Sequence, residues 1–306
     1  MRLTNKMLST NYLTNLQRNL DRMGRQQNQL ATNKRLVRLS DDPVGAVSSL
    51  AVRSKIDRIG QYQRNIEDAR SRLSQSETAV MEIQELVKTA YEKAVQGATG
   101  TMGHEEREAI AVQVEALRSH LVQVANASLG DSYLFGGFHT TTPPFTVDSM
   151  GSVSYQGQSL AVDLPAFNQR IEYEIGPGLK TAVSIHGAEL VGTGEQSLFN
   201  LFDGLVASLR APGDGQQVQD SISRMQGAQS RVLALATEIG GRINRLDLIQ
   251  GRYEQDQLNY QTVQSQIEDI DSAEVIMQYK MAEASYQAAL AIGAKVIQPS
   301  LVDFLR

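Results

Sequence analysis

MQGAQSRVLALATEIGGRINRLDLIQGRYEQDQLNYQTVQSQIEDI, residues 225–270, decides the fold class. A strict 4-3 spacing runs through it and on into the residues that follow. The positions are Met225, Ala228, Val232, Leu235, Ile239, Arg242, Leu246, Ile249, Tyr253, Asp256, Tyr260, Val263, Ile267, Ile270, Glu274, Met277, Met281, Ala284, Ala288 and Ala291. Seventeen of these 20 are apolar, which identifies a helical seam rather than chance clustering. A seam kept over this many heptads belongs to a coiled coil or a long bundle helix. Unbroken, such a helix would be ~100 Å long at 1.5 Å per residue.

Outward from this stretch the same period recurs. A second seam runs Ile59, Tyr62, Ile66, Ala69, Leu73, Ser76, Val80, Ile83, Val87, Ala90, Ala94, with Ser76 alone polar, and stops before Gly97 and Gly100. A third uses Ile110, Val114, Leu117, Leu121 and Val124, behind the acidic start Glu105-Glu106. A shorter one at the N-terminus uses Leu13, Leu16, Leu20, Met23 and Leu30. Core packing is the expected role of each.

The prolines agree. Proline lacks the N–H and clashes with the preceding turn, so it is excluded from helix interiors. Residues 1–42, 44–142 and 213–298 contain none, whereas Pro143, Pro144, Pro165, Pro177 and Pro212 cluster in the middle. There the pattern changes to alternation: Val153/Tyr155, Val162/Leu164, Ile171/Tyr173/Ile175 and Val183/Ile185, separated by Gly, Pro, Asn and Asp. Tyr155-Gln156-Gly157-Gln158 reads as a hairpin tip. A β unit of ~50 residues buries too little surface to stand alone and is expected to pack on the helices. The residues thus predict a mainly α protein. Both chain ends form a long antiparallel helical bundle or coiled coil, with a small inserted β domain.

Charge fits this plan. Residues 1–60 carry 11 Lys/Arg and 4 Asp/Glu, and residues 251–306 carry 4 and 8. A basic arm for nucleic acid is one reading. The basic residues are scattered among Gln, Asn and Leu, so pairing between the two ends is preferred. A nucleic-acid binder would show strongly salt-dependent binding.

Composition excludes much chemistry. There is no Cys, hence no disulfide framework, thiolate metal site or Cys nucleophile. His104, His120, His139 and His186 lack zinc-ligand spacing. Gly192-Thr193-Gly194 follows a strand-like run, but no Lys-Ser/Thr or third Gly completes a phosphate loop, so a turn is expected. Glu268, Asp269 and Asp271 gather three carboxylates without a Gly-hinged loop. A solvated face or a helix break is preferred to a cation site. Ser40-Asp41-Asp42-Pro43 reads as a helix N-cap with Pro in the first turn. No catalytic constellation emerges, and no enzyme, metal or cofactor is expected. The mean hydropathy of −0.28 and the short uncharged stretch from Ala284 to Ala294 give no membrane span. The N-terminus lacks the apolar core of a cleaved signal.

Three stretches carry a resemblance. The first is Lys34-Arg35-Leu36-Val37-Arg38-Leu39-Ser40-Asp41-Asp42-Pro43-Val44-Gly45-Ala46. The second is Gly130-Asp131-Ser132-Tyr133-Leu134-Phe135-Gly136-Gly137-Phe138, followed by Thr142-Pro143-Pro144-Phe145. The third comprises Ile239–Leu246, Ser265–Glu274 and Gln298–Arg306. In this order and spacing they resemble the bacterial flagellin superfamily over nearly the whole chain. Filament-forming flagellins tend to carry Ala-Lys-Asp-Asp-Ala-Ala-Gly at the first stretch. Asp42-Pro43 is similar instead to the members that join hook to filament.

The resemblance implies a structural axial protein of the bacterial flagellum, extracellular and exported without a cleaved signal peptide through the flagellar type III apparatus. Implied partners are copies of itself in a ring, the other hook–filament junction protein, flagellin, and a flagellar export chaperone; no nucleic acid and no membrane. Implied divisions are terminal helices at 1–42 and 272–306, a helical rod at 43–136 and 196–271, and a β domain at 137–195. The terminal helices are expected to order on assembly, because the Ala-rich seam buries little area. The largest apolar side chains near the C-terminus, Leu290, Ile292, Val296, Ile297, Leu301, Phe304 and Leu305, are the expected assembly and chaperone contacts. The rival within the class is a filament-forming flagellin, which would extend long filaments from seeds. The rival outside it is a cytoplasmic coiled-coil adaptor, which would be absent from sheared appendages.

Overall fold

The computed structural model describes residues 5–38, 40, 42–99, 102–149, 151–160, 170–211 and 216–296. Helices dominate. In chain order they are α1 (Asn5–Thr32), α2 (Pro43–Gly97), α3 (His104–Ala125), α4 (Gly187–Val191), α5 (Leu198–Arg210), α6 (Gln216–Glu268) and α7 (Ser272–Val296). The strands are short: β1 (Ser128–Leu129), β2 (Ser132–Tyr133), β3 (Phe145–Val147), β4 (Val153–Tyr155), β5 (Gln158–Ser159), β6 (Glu172–Gly176) and β7 (Leu179–Ala182). They pair antiparallel as β1-β2, β3-β4-β5 and β6-β7.

The helix boundaries follow local chemistry. α1 ends at Thr32, and Asn33 just beyond it has a φ of 53°, the left-handed conformation that Asn tolerates. Asp42 caps α2: its Oδ1 accepts from the Gly45 N–H at 2.9 Å, and Pro43 takes the first helical position. Glu106 reaches back to accept from the Gly103 N–H at the start of α3. At Tyr155-Gln156-Gly157-Gln158 the expected hairpin tip forms, with positive φ at Gln156 and Gly157 and Tyr155 paired to Gln158. Val162 and Leu164 lie outside the described residues.

Contacts divide the chain into two compact units, Ile59–Glu254 and Met1–Arg58 with Gln255–Arg306. In the first, the α2 seam is buried as spaced: Ile66, Ala69, Leu73, Val80, Ile83, Val87, Ala90 and Ala94 are all at most 1 % exposed. Ser76 joins them because its hydroxyl donates to the Arg72 carbonyl one turn back. Ile110, Val114 and Leu121 of α3 and Met225, Val232, Ile239 and Leu246 of α6 complete this helical core. Arg210, at the end of α5, grips Glu108 and Glu115 of α3.

The β region closes onto the helices rather than standing apart. Asn65 donates to the Glu174 carbonyl, Tyr253 to that of Ile175, and Arg242 to that of Ala182. Phe145, Tyr155 and Phe199 form an aromatic cluster with centroids 5.2 and 5.7 Å apart. The buried Tyr155 hydroxyl donates to the Phe135 carbonyl and accepts from the Gly187 N–H. Burial pushes this phenol up to about 12. Gly187 leaves no room for a Cβ, which would sit 2.6 Å from both the Phe145 and Tyr155 rings. Gly187→Ala should therefore cost about 1–3 kcal/mol by overpacking, read as a lower midpoint in thermal or urea unfolding.

Candidate assembly interface at the paired ends

In the second unit α1 and α7 pack against each other and run antiparallel: Tyr12 meets Ala289, and Gln26 meets Gln278. The inward line of α1 is Ser9, Tyr12, Leu16, Asn19, Met23, Gln26 and Leu30, a strict 3-4 spacing with three polar members besides Tyr12. The inward line of α7 is Val275, Tyr279, Ala282, Tyr286, Ala289 and Gly293. Gly293 admits the Tyr12 ring, whose hydroxyl donates to the Ala289 carbonyl at 2.8 Å; a Cβ there would collide with the phenol. Gly293→Val should displace Tyr12 and loosen the pair by about 1–3 kcal/mol, measured as faster amide exchange in α1.

These lines correct two expected seams. Leu13 and Leu20 are 55 % and 41 % exposed, not core. Glu274, Met277, Met281, Ala284, Ala288 and Ala291 also face outward. The cause is geometric: a straight helix of 3.6 residues per turn drifts ~20° per heptad against a strict 3.5 repeat. Six heptads beyond Met225 the inward position falls at Glu268 rather than Ile267.

Glu268 is the second finding. The carboxylates at 268–271 do mark a helix break, since α6 ends at Glu268 and α7 begins at Ser272. Glu268 is nonetheless not on a solvated face; it is 2 % exposed. Arg53 of α2 donates to it through Nε and Nη2, each at 2.8 Å. Ser49 Oγ donates at 2.5 Å and Gln264 Nε2 at 3.1 Å, and Lys34 Nζ lies 3.2 Å away. Lys34 also pairs with Asp269 at 2.7 Å. The charge pairing between the chain ends inferred from composition is concentrated here.

The Arg53 guanidinium above all, then the Ser49, Gln264 and Lys34 donors, outweigh burial and hold the Glu268 carboxyl far below its ordinary 4.5. A depressed carboxyl contributes stability that is complete above its unfolded value, declines as pH falls below that value, and is gone once pH has fallen through the folded one, where the native carboxyl itself protonates. The cluster should therefore stay closed at pH 3.5, where ordinary carboxylates are largely protonated, and open only in stronger acid. Amide exchange at Arg35 as a function of pH checks this; opening between pH 4 and 5 would contradict it.

A family model of the bacterial flagellin N-terminal helical region matches residues 3–140. Flagellar hook-associated protein 3 of Salmonella typhimurium is 24 % identical, covering 94 % of this chain and 95 % of that protein. The Escherichia coli protein of the same name is 24 % identical over 85 % of this chain and 86 % of its own length. A solved flagellar hook-associated protein from Vibrio parahaemolyticus superposes with a TM-score of 0.66 at 25 % identity. It covers 75 % of this chain and 100 % of that one. The chain is thus similar to proteins of the flagellin superfamily. The flagellar junction protein FlgL of Legionella pneumophila shares the fold, with a TM-score of 0.59 at 15 % identity over 74 % of this chain and 100 % of that one.

Of the expected assembly residues, Leu290 and Ile292 are 44 % and 59 % exposed, on either side of the α1-facing line. Val296 is the last residue of α7. Ile297, Leu301, Phe304 and Leu305 lie outside the described residues. The structure adds apolar side chains that sequence reasoning had missed or placed in the core: Ile276, Met277 and Met281 on α7, and Met7, Leu13 and Leu20 on α1, each at least 41 % exposed. At the start of α2, Val44, Val47 and Leu50 are also exposed. Among the described residues no His, Cys, Asp and Glu side chains gather as a metal site, and no helix is long and apolar enough to cross a membrane.

Proposed function

We propose that this protein is a structural axial component of the bacterial flagellum that forms the junction between hook and filament. The observation that carries the reading is the antiparallel pairing of the two chain ends, with an apolar face turned outward on both helices. An axial ring needs this arrangement: polar contacts set the register within a subunit, and apolar surface is left for the neighbouring subunits. On this reading residues 1–42 and 272–306 are terminal helices that order as a coiled coil on assembly. Residues 43–136 and 196–271 form the rod, and 137–195 the inserted β domain. Copies of the chain form a ring between the other junction protein and flagellin. Leu290, Ile292, Val296, Ile297, Leu301, Phe304 and Leu305 serve as assembly contacts, and before export they are held by a flagellar chaperone. The protein leaves the cell through the flagellar export apparatus without a cleaved signal.

Electron microscopy of a strain lacking the gene tests this. Hooks without filaments, with flagellin shed into the medium and restored by the complementing gene, is the expected result. Normal filaments in that strain would overturn it. Purified protein added to hook-bearing seeds should stop at a short cap; long filaments would assign it to the filament-forming flagellins instead.

A further inference from the structure

Within the unit Ile59–Glu254, the Gly192-Thr193-Gly194 run forms the turn expected of it, and the turn builds a cleft. Gly192 and Gly194 take φ of 79° and 62°, the left-handed region open to glycine. The chain then makes one 3₁₀ turn, Gly194–Gln196, ahead of α5. This turn fixes Arg231 of α6. Its Nη1 donates to Gln196 Oε1 at 2.8 Å and its Nη2 to the Gln196 carbonyl. A Cβ on Gly192 would lie 3.0 Å from that carbonyl oxygen and 3.4 Å from the guanidinium, so a larger residue would crowd the pair. Between the 3₁₀ turn and α6 lies a cleft of about 270 Å³. The buried Leu201 and Ala228 give it an apolar lining. Gly227 keeps it open, because nothing stands within 4 Å of the place a Cβ would take. Its charges are Arg224 and Arg231, two turns apart on α6, and Glu195. Neither arginine makes an ion pair among the described residues. Arg231 is held by neutral acceptors, and desolvation pushes its guanidinium below its ordinary pKa. Two guanidiniums against one carboxylate leave the cleft positive, in a chain of net charge −5.

We propose that this cleft binds a carboxylate with neighbouring hydroxyl groups, as an open-chain hydroxy acid or an acidic sugar presents. A planar carboxylate matches the guanidinium fork, and a monoanion matches the one uncancelled charge. A phosphate dianion would bring a second charge against Glu195. Hydroxyl groups both donate and accept. Glu195 offers acceptor oxygens, and Gln196, whose Oε1 is taken by Arg231, offers its amide N–H groups beside them. An ammonium could use only the acceptor, so an amino acid is matched less completely. The volume lies just under the range for drug-sized ligands, which suits one small molecule or one sugar unit.

The test is a heteronuclear NMR titration of the isolated full chain, followed at the Gln196 and Gly227 amides. The probes are glucuronate, gluconate, glucose, acetate, alanine and inorganic phosphate. Glucuronate or gluconate should give saturable shifts, and the other four should each bind about tenfold or more weakly. The tighter of the two acids tells whether the sugar or the open-chain acid is the ligand. Arg224→Gln should weaken binding about tenfold or more. Its unfolding midpoint should not move, since Arg224 is exposed and makes no ion pair among the described residues. Gly227→Leu should fill the cleft and block binding without loss of stability, because leucine is the better helix former. No saturable shift with either acid would overturn the proposal. So would phosphate or alanine binding as tightly as the acids, or unchanged binding in Arg224→Gln. The measurement needs no hook or filament, so its failure leaves the junction role standing.

Discussion

Deleting Ser300–Arg306 should abolish filament attachment while leaving the folded body of the protein intact. The deletion removes Leu301, Phe304 and Leu305. An apolar side chain of this size contributes roughly 1.5–3 kcal/mol when fully buried in a neighbour, so each subunit contact would lose several kcal/mol. That is a factor of a thousand or so in affinity at about 1.4 kcal/mol per tenfold, and a ring multiplies the defect. The compact unit Ile59–Glu254 contains none of these residues, so its melting should not move. The expected phenotype is hooks with shed filaments, together with weak binding to the export chaperone. Leu290→Asp with Ile292→Asp gives a second arm inside the described helix: both side chains are exposed in the free chain, so folding should survive and assembly should not. Normal swimming with either variant would remove the C-terminal helix from the mechanism.

Arg53→Ala should be the most damaging single substitution in the unit formed by the chain ends. It strips two hydrogen bonds from a carboxylate that is 2 % exposed and leaves that charge with Ser49, Gln264 and the half-exposed Lys34. Breaking a buried pair from one side costs ~3–5 kcal/mol, because the remaining charge keeps its desolvation penalty. Arg53 is itself 53 % exposed, which places the expected loss near the lower end, about 3 kcal/mol. Glu268→Gln should cost less, since a neutral amide still accepts from Ser49 and strands no buried charge. A double-mutant cycle on Arg53 and Glu268, read from urea unfolding, gives the coupling between them. Equal stability of Arg53→Ala and the wild type would show that the cluster does not hold the ends together.

Much of this architecture is local and was legible residue by residue. The α2 seam from Ile66 to Ala94 is buried as its spacing requires, Asp42 and Pro43 start α2, and Gly157 turns the β4–β5 hairpin. Each depends on backbone geometry within a turn or two, which the residues themselves encode. Over longer distances the strict repeat misled. It placed Met277, Met281 and Ala284 in the core, whereas the accumulated drift of a straight helix turns that line outward, half-buries Val275 and buries Ala282.

By itself, then, the sequence determined that both ends are helical, where most helices begin, that the β segment is inserted between them, and which superfamily the chain resembles. Only the tertiary structure decided that Glu268 is a buried hub. The partners of Glu268 lie 219 residues away at Ser49 and 215 at Arg53. Periodicity records which face of a helix is apolar, but it holds no information about which distant side chain will stand opposite a carboxylate. That is settled by the register in which the ends pack, and the register depends on contacts such as Tyr12 against Gly293 that exist only once the chain has closed on itself.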